Sequence, residues 1–326
     1  MLLLLGFLFA FAPRPAAAQQ FDLPIACSLG ADCIVQNYVD ADPRPNLAED
    51  PMCGPLSYDG HDGLDIRVPT PLMQRGVAVL APAAGVVAGA RDGEPDGAFL
   101  QRGEAALNAR DCGNGVRIDH GGGWSSQLCH MRNGSLRVRV GDRVTAGQTL
   151  GLVGLSGRTE FPHLHLSLTR GGVELDPLTG RALTEIGACG PSVATPGAHW
   201  SAAARSALSY RSALWFQTGF TGAAPAADAN VEALPANASR QTPLVYWGLA
   251  AGPREGDTLR VRLYGPDGAL MSESTRVQPR DQAQASVFAG RRAPPGGWPA
   301  GAYRGEATLT RDGAIVSTRN DTLALR

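Results

Sequence analysis

Five of the six histidines stand before residue 170, and their spacing is where chemistry concentrates. In Gly60-His61-Asp62-Gly63-Leu64-Asp65 an imidazole and a carboxylate are four residues apart, with a glycine between them that lets both converge on one point. In Pro162-His163-Leu164-His165-Leu166 two imidazoles occupy positions i and i+2 of an apolar, strand-like run. Side chains alternate along a strand, so both rings share a face, roughly 6–7 Å apart at Cα. Two polar rings on one strand face are costly to bury unless something binds them. A divalent metal is the binder these residue types suit. His130, in Gln127-Leu128-Cys129-His130-Met131, reads alone as a surface or capping imidazole at a strand end; beside the other two motifs it becomes a candidate partner. No Glu follows a histidine as in H-E-x-x-H, so a carboxylate base is not indicated.

Further motifs lie between these histidines in a fixed order. They are Gly113-Asn114-Gly115-Val116-Arg117-Ile118-Asp119-His120-Gly121, then His130-Met131, and then the run from Val138-Arg139-Val140-Gly141-Asp142 through Val144 and Gly147-Gln148-Thr149-Leu150-Gly151. With His61…Asp65 at the start and Pro162-His163-Leu164-His165 at the close, residues 56–180 resemble the M23 metallopeptidases, the lysostaphin- and LytM-like peptidoglycan endopeptidases. The resemblance implies a β-sheet groove domain in which His61, Asp65 and His165 bind one Zn²⁺, leaving a fourth position open. It also implies that His163 and His130 are catalytic: His163 as general base, His130 donating to the oxyanion or sharing the proton work. Asn114 and His120 match family positions and are expected to be structural or to support the site from behind. Asp62 is expected to be an exposed turn carboxylate. Three departures spare the ligands and bear on substrate contacts: Leu128 for a usual Tyr, Phe161 for Gly, and Leu166-Ser167 for Phe-Glu. Phe161 is expected to narrow the cleft or stack on substrate.

The function expected is therefore an exported zinc metalloendopeptidase acting on peptide cross-links of bacterial peptidoglycan. The alternative is a catalytically silent module of the same family that binds cell wall or activates another wall hydrolase; such a module is expected to lack ligands, and none is missing. A carrier domain is suggested by the Val140–Leu150 hairpin pattern, but the chain has no Lys, its 29 basic residues all being Arg. That removes biotinyl and lipoyl attachment, Schiff-base chemistry and a P-loop.

The elements that must position these residues read as strands. With 41 Gly and 24 Pro among 326 residues, long helices are disfavoured, and 44% hydrophobic residues suffice for a core. Short apolar runs recur at Val77–Leu80, Gly85–Ala90, Val116–Ile118, Leu136–Val140, Thr149–Val153 and Leu164–Leu168, each bounded by turn residues. Residues 91–111 read as a surface insertion. Beyond Val245 alternation returns in Thr258–Tyr264, Ala302–Thr310 and Ala314–Thr318. The expected architecture is all-β: a signal peptide at 1–18, an extended arm at 19–55, the M23-like domain at 56–195, a linker with a short helix at 196–240, and an immunoglobulin-like β-sandwich at 241–326.

Residues 2–12 form an apolar run closed by Pro-Arg-Pro and Ala16-Ala17-Ala18, the pattern of an export signal; it is too short to span a bilayer, so no stable membrane insertion is expected. Six cysteines, at 27, 33, 53, 112, 129 and 189, suit disulfides in an oxidising compartment. No C-x-x-C pair points to zinc. A formal charge of −1 gives no support for nucleic-acid binding, although residues 19–198 hold 14 Arg against 20 acids and residues 199–326 hold 14 Arg against 10. The second half carries no evident chemistry and is expected to anchor the protein to wall, dock a partner, or cover the site.

Overall fold

The computed structural model describes residues 19–107, 109–186, 189–190, 194–223, 225–226 and 231–326; the expected signal segment lies outside them. The first half is one eight-stranded sheet. Its strands are β1 (Ile34–Asn37), β2 (Leu64–Arg67), β4 (Gly85–Arg91), β5 (Asn114–Gly121), β6 (Trp124–Met131), β7 (Arg143–Val144), β9 (His163–Arg170) and β10 (Val173–Leu175). The path runs β1-β2-β9-β6-β5-β4-β7, with β10 also on β9. A small sheet pairs β3 (Ala78–Leu80) with β8 (Thr149–Leu152). Helices are short: α1 (Thr70–Arg75), α2 (Ala98–Arg102) within the expected insertion, and α3 (Ala202–Ala207). Leu136–Arg139 carries no strand, contrary to expectation; Arg137 N–H donates to the Leu150 carbonyl without a ladder forming.

Central strand β9 shows the alternation that makes a site. Leu164, Leu166 and Leu168 point into the core and are at most 1% exposed, so His163, His165, Ser167 and Thr169 line the opposite face. Antiparallel register sets Asp65 of β2 across from His165, and Arg67 across from His163.

The arm differs from a simple wrapping segment, since it supplies edge strand β1, pairing Val35 with Ile66 and Asn37 with Asp65. Phe21 is fully buried, and the Cys53–Cys189 disulfide ties the arm to the chain beyond the sheet. Cys27–Cys33 and Cys112–Cys129 complete the set, so every cysteine is paired.

The second half is a two-sheet sandwich. One sheet orders β11 (Leu214–Thr221), β12 (Leu244–Ala251) and β15 (Gln284–Arg291); the other orders β14 (Leu270–Val277), β13 (Thr258–Tyr264), β16 (Gly301–Arg311) and β17 (Ala314–Leu325). The fourth strand of this half, β14, thus lies beside β13 on the second sheet. The first, β11, begins at Leu214, inside the segment expected as linker, because Leu214, Trp215 and Phe216 bury their side chains. The two halves share one apolar cluster, in which Leu214, Phe216, Trp247 and Leu249 of the sandwich join Leu64, Ile66 and Leu164 of the first sheet. Among the described residues no helix is long and apolar enough to cross a membrane.

Candidate metal centre

Three ligand-type atoms from β2, the turn before it and β9 meet at one point. His61 Nε2 lies 3.2 Å from Asp65 Oδ1 and 3.3 Å from His165 Nδ1, and His165 Nδ1 lies 2.8 Å from Asp65 Oδ1. Ligand atoms of a tetrahedral zinc with bonds of ~2.0–2.2 Å stand roughly 3.3–3.6 Å apart. Two of the three edges have that length or nearly so, and the third is a hydrogen-bond length, so two nitrogens and a carboxylate oxygen fit a divalent ion. Gly63 is required for this convergence: a Cβ there would stand 2.4 Å from His165 Cε1 and 2.7 Å from the Leu166 carbonyl oxygen.

Each of the three is held from behind. His61 Nδ1–H donates to the Tyr38 carbonyl at 2.6 Å, which leaves Nε2 with its lone pair towards the centre. Asn37 Nδ2–H donates to Asp65 Oδ2 at 2.9 Å, and His165 Nε2 is 2.9 Å from Ser167 Oγ. Partners of this kind fix ring and carboxylate orientation and raise ligand basicity. Asn37, Tyr38 and Ser167 are additions to the sequence-based set. The first two lie in an arm without a recognisable pattern, and only the pairing of β1 with β2 brings them near.

His163 and His130 flank the centre. His163 Nε2 is 3.4 Å from Asp65 Oδ1, while its Nδ1–H donates towards the Phe161 carbonyl at 3.0 Å with Thr159 Oγ1 also 3.0 Å away. His130 places its ring centroid 4.5 Å from that of His163. Its Nδ1–H donates to the Ser156 carbonyl at 2.8 Å, so Nε2 carries the lone pair. A bulge aims this ring: between the pairs Asn114–Met131 and Val116–Leu128, the two residues Cys129 and His130 oppose the single Gly115, and His130 takes φ +61°. The Cys112–Cys129 disulfide and the bond from His130 N–H to the Cys112 carbonyl, 2.9 Å, secure the bulge.

Electrostatics follow from burial and neighbouring charge. Burial disfavours a charged Asp65, but the imidazoles of His163 and His61 outweigh it and hold the carboxyl well below its usual range. For His61 burial opposes the cation, yet the Asp65 charge and hydrogen bonds leave its pKa raised. Burial, with the charges of His163 and His165, pushes His130 well below the ordinary imidazole range, so it is neutral.

The other expected residues separate. Asn114 makes no contact with the five: its side chain holds Glu94 and the Met131 carbonyl, and its N–H donates to Ser156 Oγ, one step behind His130. His120 Nδ1 meets the Ala84 carbonyl at 2.9 Å, its Nε2 meets Ser126 Oγ at 2.8 Å, and its ring packs on Phe21. Asp62 is an exposed carboxylate 3.5 Å from His165 Nε2. Leu128 is wholly buried and faces the core, whereas Phe161 stands beside His163, ring centroids 5.0 Å apart. On the other side an open cavity of about 270 Å³ is lined by Tyr58, Asp62, Gln127, His130, Arg158 and His165. It continues past Ser167 and Thr169 along β9.

Comparison with known proteins bears on the same segment. Residues 59–177 match the model of peptidase family M23. The peptidoglycan DD-endopeptidase ShyC of Vibrio cholerae is 36% identical over 67 residues, which are 21% of this chain and 15% of that protein's length. The chain thus spans a minor part of that relative. Among solved structures, a mutant catalytic domain of the prophage-encoded M23 protein EnpA from Enterococcus faecalis is 25% identical, covering 44% of this chain and 85% of that one, with a TM-score of 0.31. The catalytic domain of the antimicrobial peptidase lysostaphin from Staphylococcus simulans is 21% identical, covering 43% and 85%, with a TM-score of 0.30. Over residues 59–177, little more than a third of its length, this chain is similar to peptidase family M23.

Proposed function

We propose that this chain is an exported, zinc-dependent endopeptidase that hydrolyses peptide cross-links of bacterial peptidoglycan. The observation that carries the proposal is the meeting of His61 Nε2, Asp65 Oδ1 and His165 Nδ1 at the floor of a groove, with two further imidazoles on its walls. The family match and the similarity to a peptidoglycan endopeptidase support the substrate class, and three disulfides support an oxidising, extracytoplasmic setting.

In this proposal His61, Asp65 and His165 hold the ion. When bound, zinc supplies Lewis-acid polarisation of the scissile carbonyl and makes a water more acidic. The proposal gives the remaining labour to the two flanking imidazoles. His130, neutral and with its lone pair on Nε2, takes the proton from the attacking water and returns it to the leaving nitrogen. His163, with its Nδ1–H donated to the Phe161 carbonyl, also presents Nε2 to the centre and shares this proton work. All five groups are assembled, which favours catalysis over the silent alternative.

The test is chelation of the full chain with purified cell wall as substrate. Hydrolysis is expected to stop and to return with added Zn²⁺; activity persisting in a metal-stripped protein overturns the proposal. His130→Ala and His163→Ala are each expected to keep the metal and lose on the order of 10²–10⁴-fold in kcat.

A further inference from the structure

A second cavity, about 440 Å³, lies between the first sheet and the sandwich, on the Phe161 side of His163. Phe161 joins it to the metal centre, since its ring lines this cavity and contacts His163. Both halves build its walls: Arg67 and Glu160 come from the family-matched segment, Glu232, Arg276 and Gln284 from the second half. The volume accommodates about one or two amino-acid residues.

Its charges are unevenly committed. Arg67, 3% exposed, pairs with Glu232, donates to Gln284 Oε1 at 2.8 Å, and stacks on Phe161 with its guanidinium carbon 4.3 Å from the ring centroid. Its buried Nε nevertheless has no hydrogen-bond partner. Arg276 makes only long contacts to neutral acceptors, 3.4 Å to the Ser286 carbonyl and 3.3 Å to Gln282 Oε1. Glu160 is exposed and has no ion pair among the described residues. Once the Arg67–Glu232 pair is set aside, the cavity offers one available anion from the first half, Glu160, and one available cation from the second, Arg276.

We infer that this cavity is a substrate subsite for an amino-acid head group that carries an ammonium and a carboxylate together. The ammonium pairs with Glu160, and the carboxylate with Arg276. The inference rests on the proposed function only for the direction of the bound peptide along the groove. The sandwich is then part of the substrate site and not a remote tether.

Calorimetric titration of the full chain tests this without requiring turnover. The probe is Nε-(N-acetylalanyl)lysine, which presents a free α-ammonium and α-carboxylate at the end of a peptide-like arm; its α-carboxamide and Nα-acetyl forms are the comparators. The parent probe is expected to bind about tenfold tighter than either comparator, the size of one charge-assisted hydrogen bond. Arg276→Gln should erase the preference over the carboxamide, and Glu160→Gln the preference over the Nα-acetyl form, with unchanged melting temperatures. The inference is overturned if the wild-type chain does not bind the probe at millimolar concentration, binds all three forms alike, or keeps both preferences in the two variants. Loss of hydrolysis on chelation is read separately, so failure of the subsite and failure of the peptidase proposal are distinguishable.

Discussion

In the proposed metal site, residues that are not themselves ligands hold those that are. Asn37 holds the Asp65 oxygen that faces away from the centre, and Gly63 leaves room for the His165 ring. Asn37→Ala should lower zinc affinity about 10–100-fold, as loss of such partners typically does. Gly63→Ala should lower it as well, because a methyl 2.4 Å from His165 Cε1 must displace that ring. Competition against a coloured chelator measures both; affinity equal to wild type in Asn37→Ala would show that Asp65 is oriented by β2 alone. The Asn37 contact also bears on the arm. Through Asn37 and Tyr38 the arm holds Asp65 and His61 from behind, so trimming it is expected to lower metal binding.

At the level of elements, the bulge of β6 and its disulfide form one device. Cys112–Cys129 closes a loop with a sequence separation of 17, and a loop of about that length is worth about 3 kcal/mol through restriction of the unfolded chain. The Cys112→Ala/Cys129→Ala chain is expected to lose stability of about that size in urea unfolding. It should also lose kcat with little change in zinc affinity, because His130 sits on the bulge while the three ligands belong to β2, β9 and their turn. A parallel fall in metal content would show that the disulfide supports the whole centre.

The whole molecule behaves as one packed body, since Leu214, Phe216, Trp247 and Leu249 share an apolar cluster with the first sheet. Calorimetry is therefore expected to show a single melting transition for both halves; two separated transitions would mark them as independent modules. Protonation couples to the same body. Burial lowers the pKa of His120 and of His199 in the folded chain. Below the unfolded value of ~6.5 the unfolded chain binds protons that these two folded imidazoles resist. Their contribution is thus complete above that pH and is lost as pH falls. His120→Asn/His199→Asn should flatten the fall in stability between about pH 7 and pH 5, measured by urea midpoints; an unchanged slope would assign the acid sensitivity elsewhere.

Period-two alternation in His163-Leu164-His165 and the H-x-x-x-D turn made the metal-type cluster legible from sequence, because a strand's side-chain direction is a local property. The same locality exposed Thr258–Tyr264 and the final hairpin strands as β, and cysteine parity exposed an oxidising fold. Local pattern could not show that Leu136–Arg139 stays unpaired, since a ladder needs a partner edge, nor that Leu214–Thr221 is a strand, since its burial depends on a distant sheet. The contacts of Asn37 with Asp65, and of Arg276 and Arg67 with one cavity, join residues 28 to more than 200 positions apart. Such contacts exist only once strand order and sheet packing are set, and so only the tertiary structure decided how the ligands are held and what closes the groove.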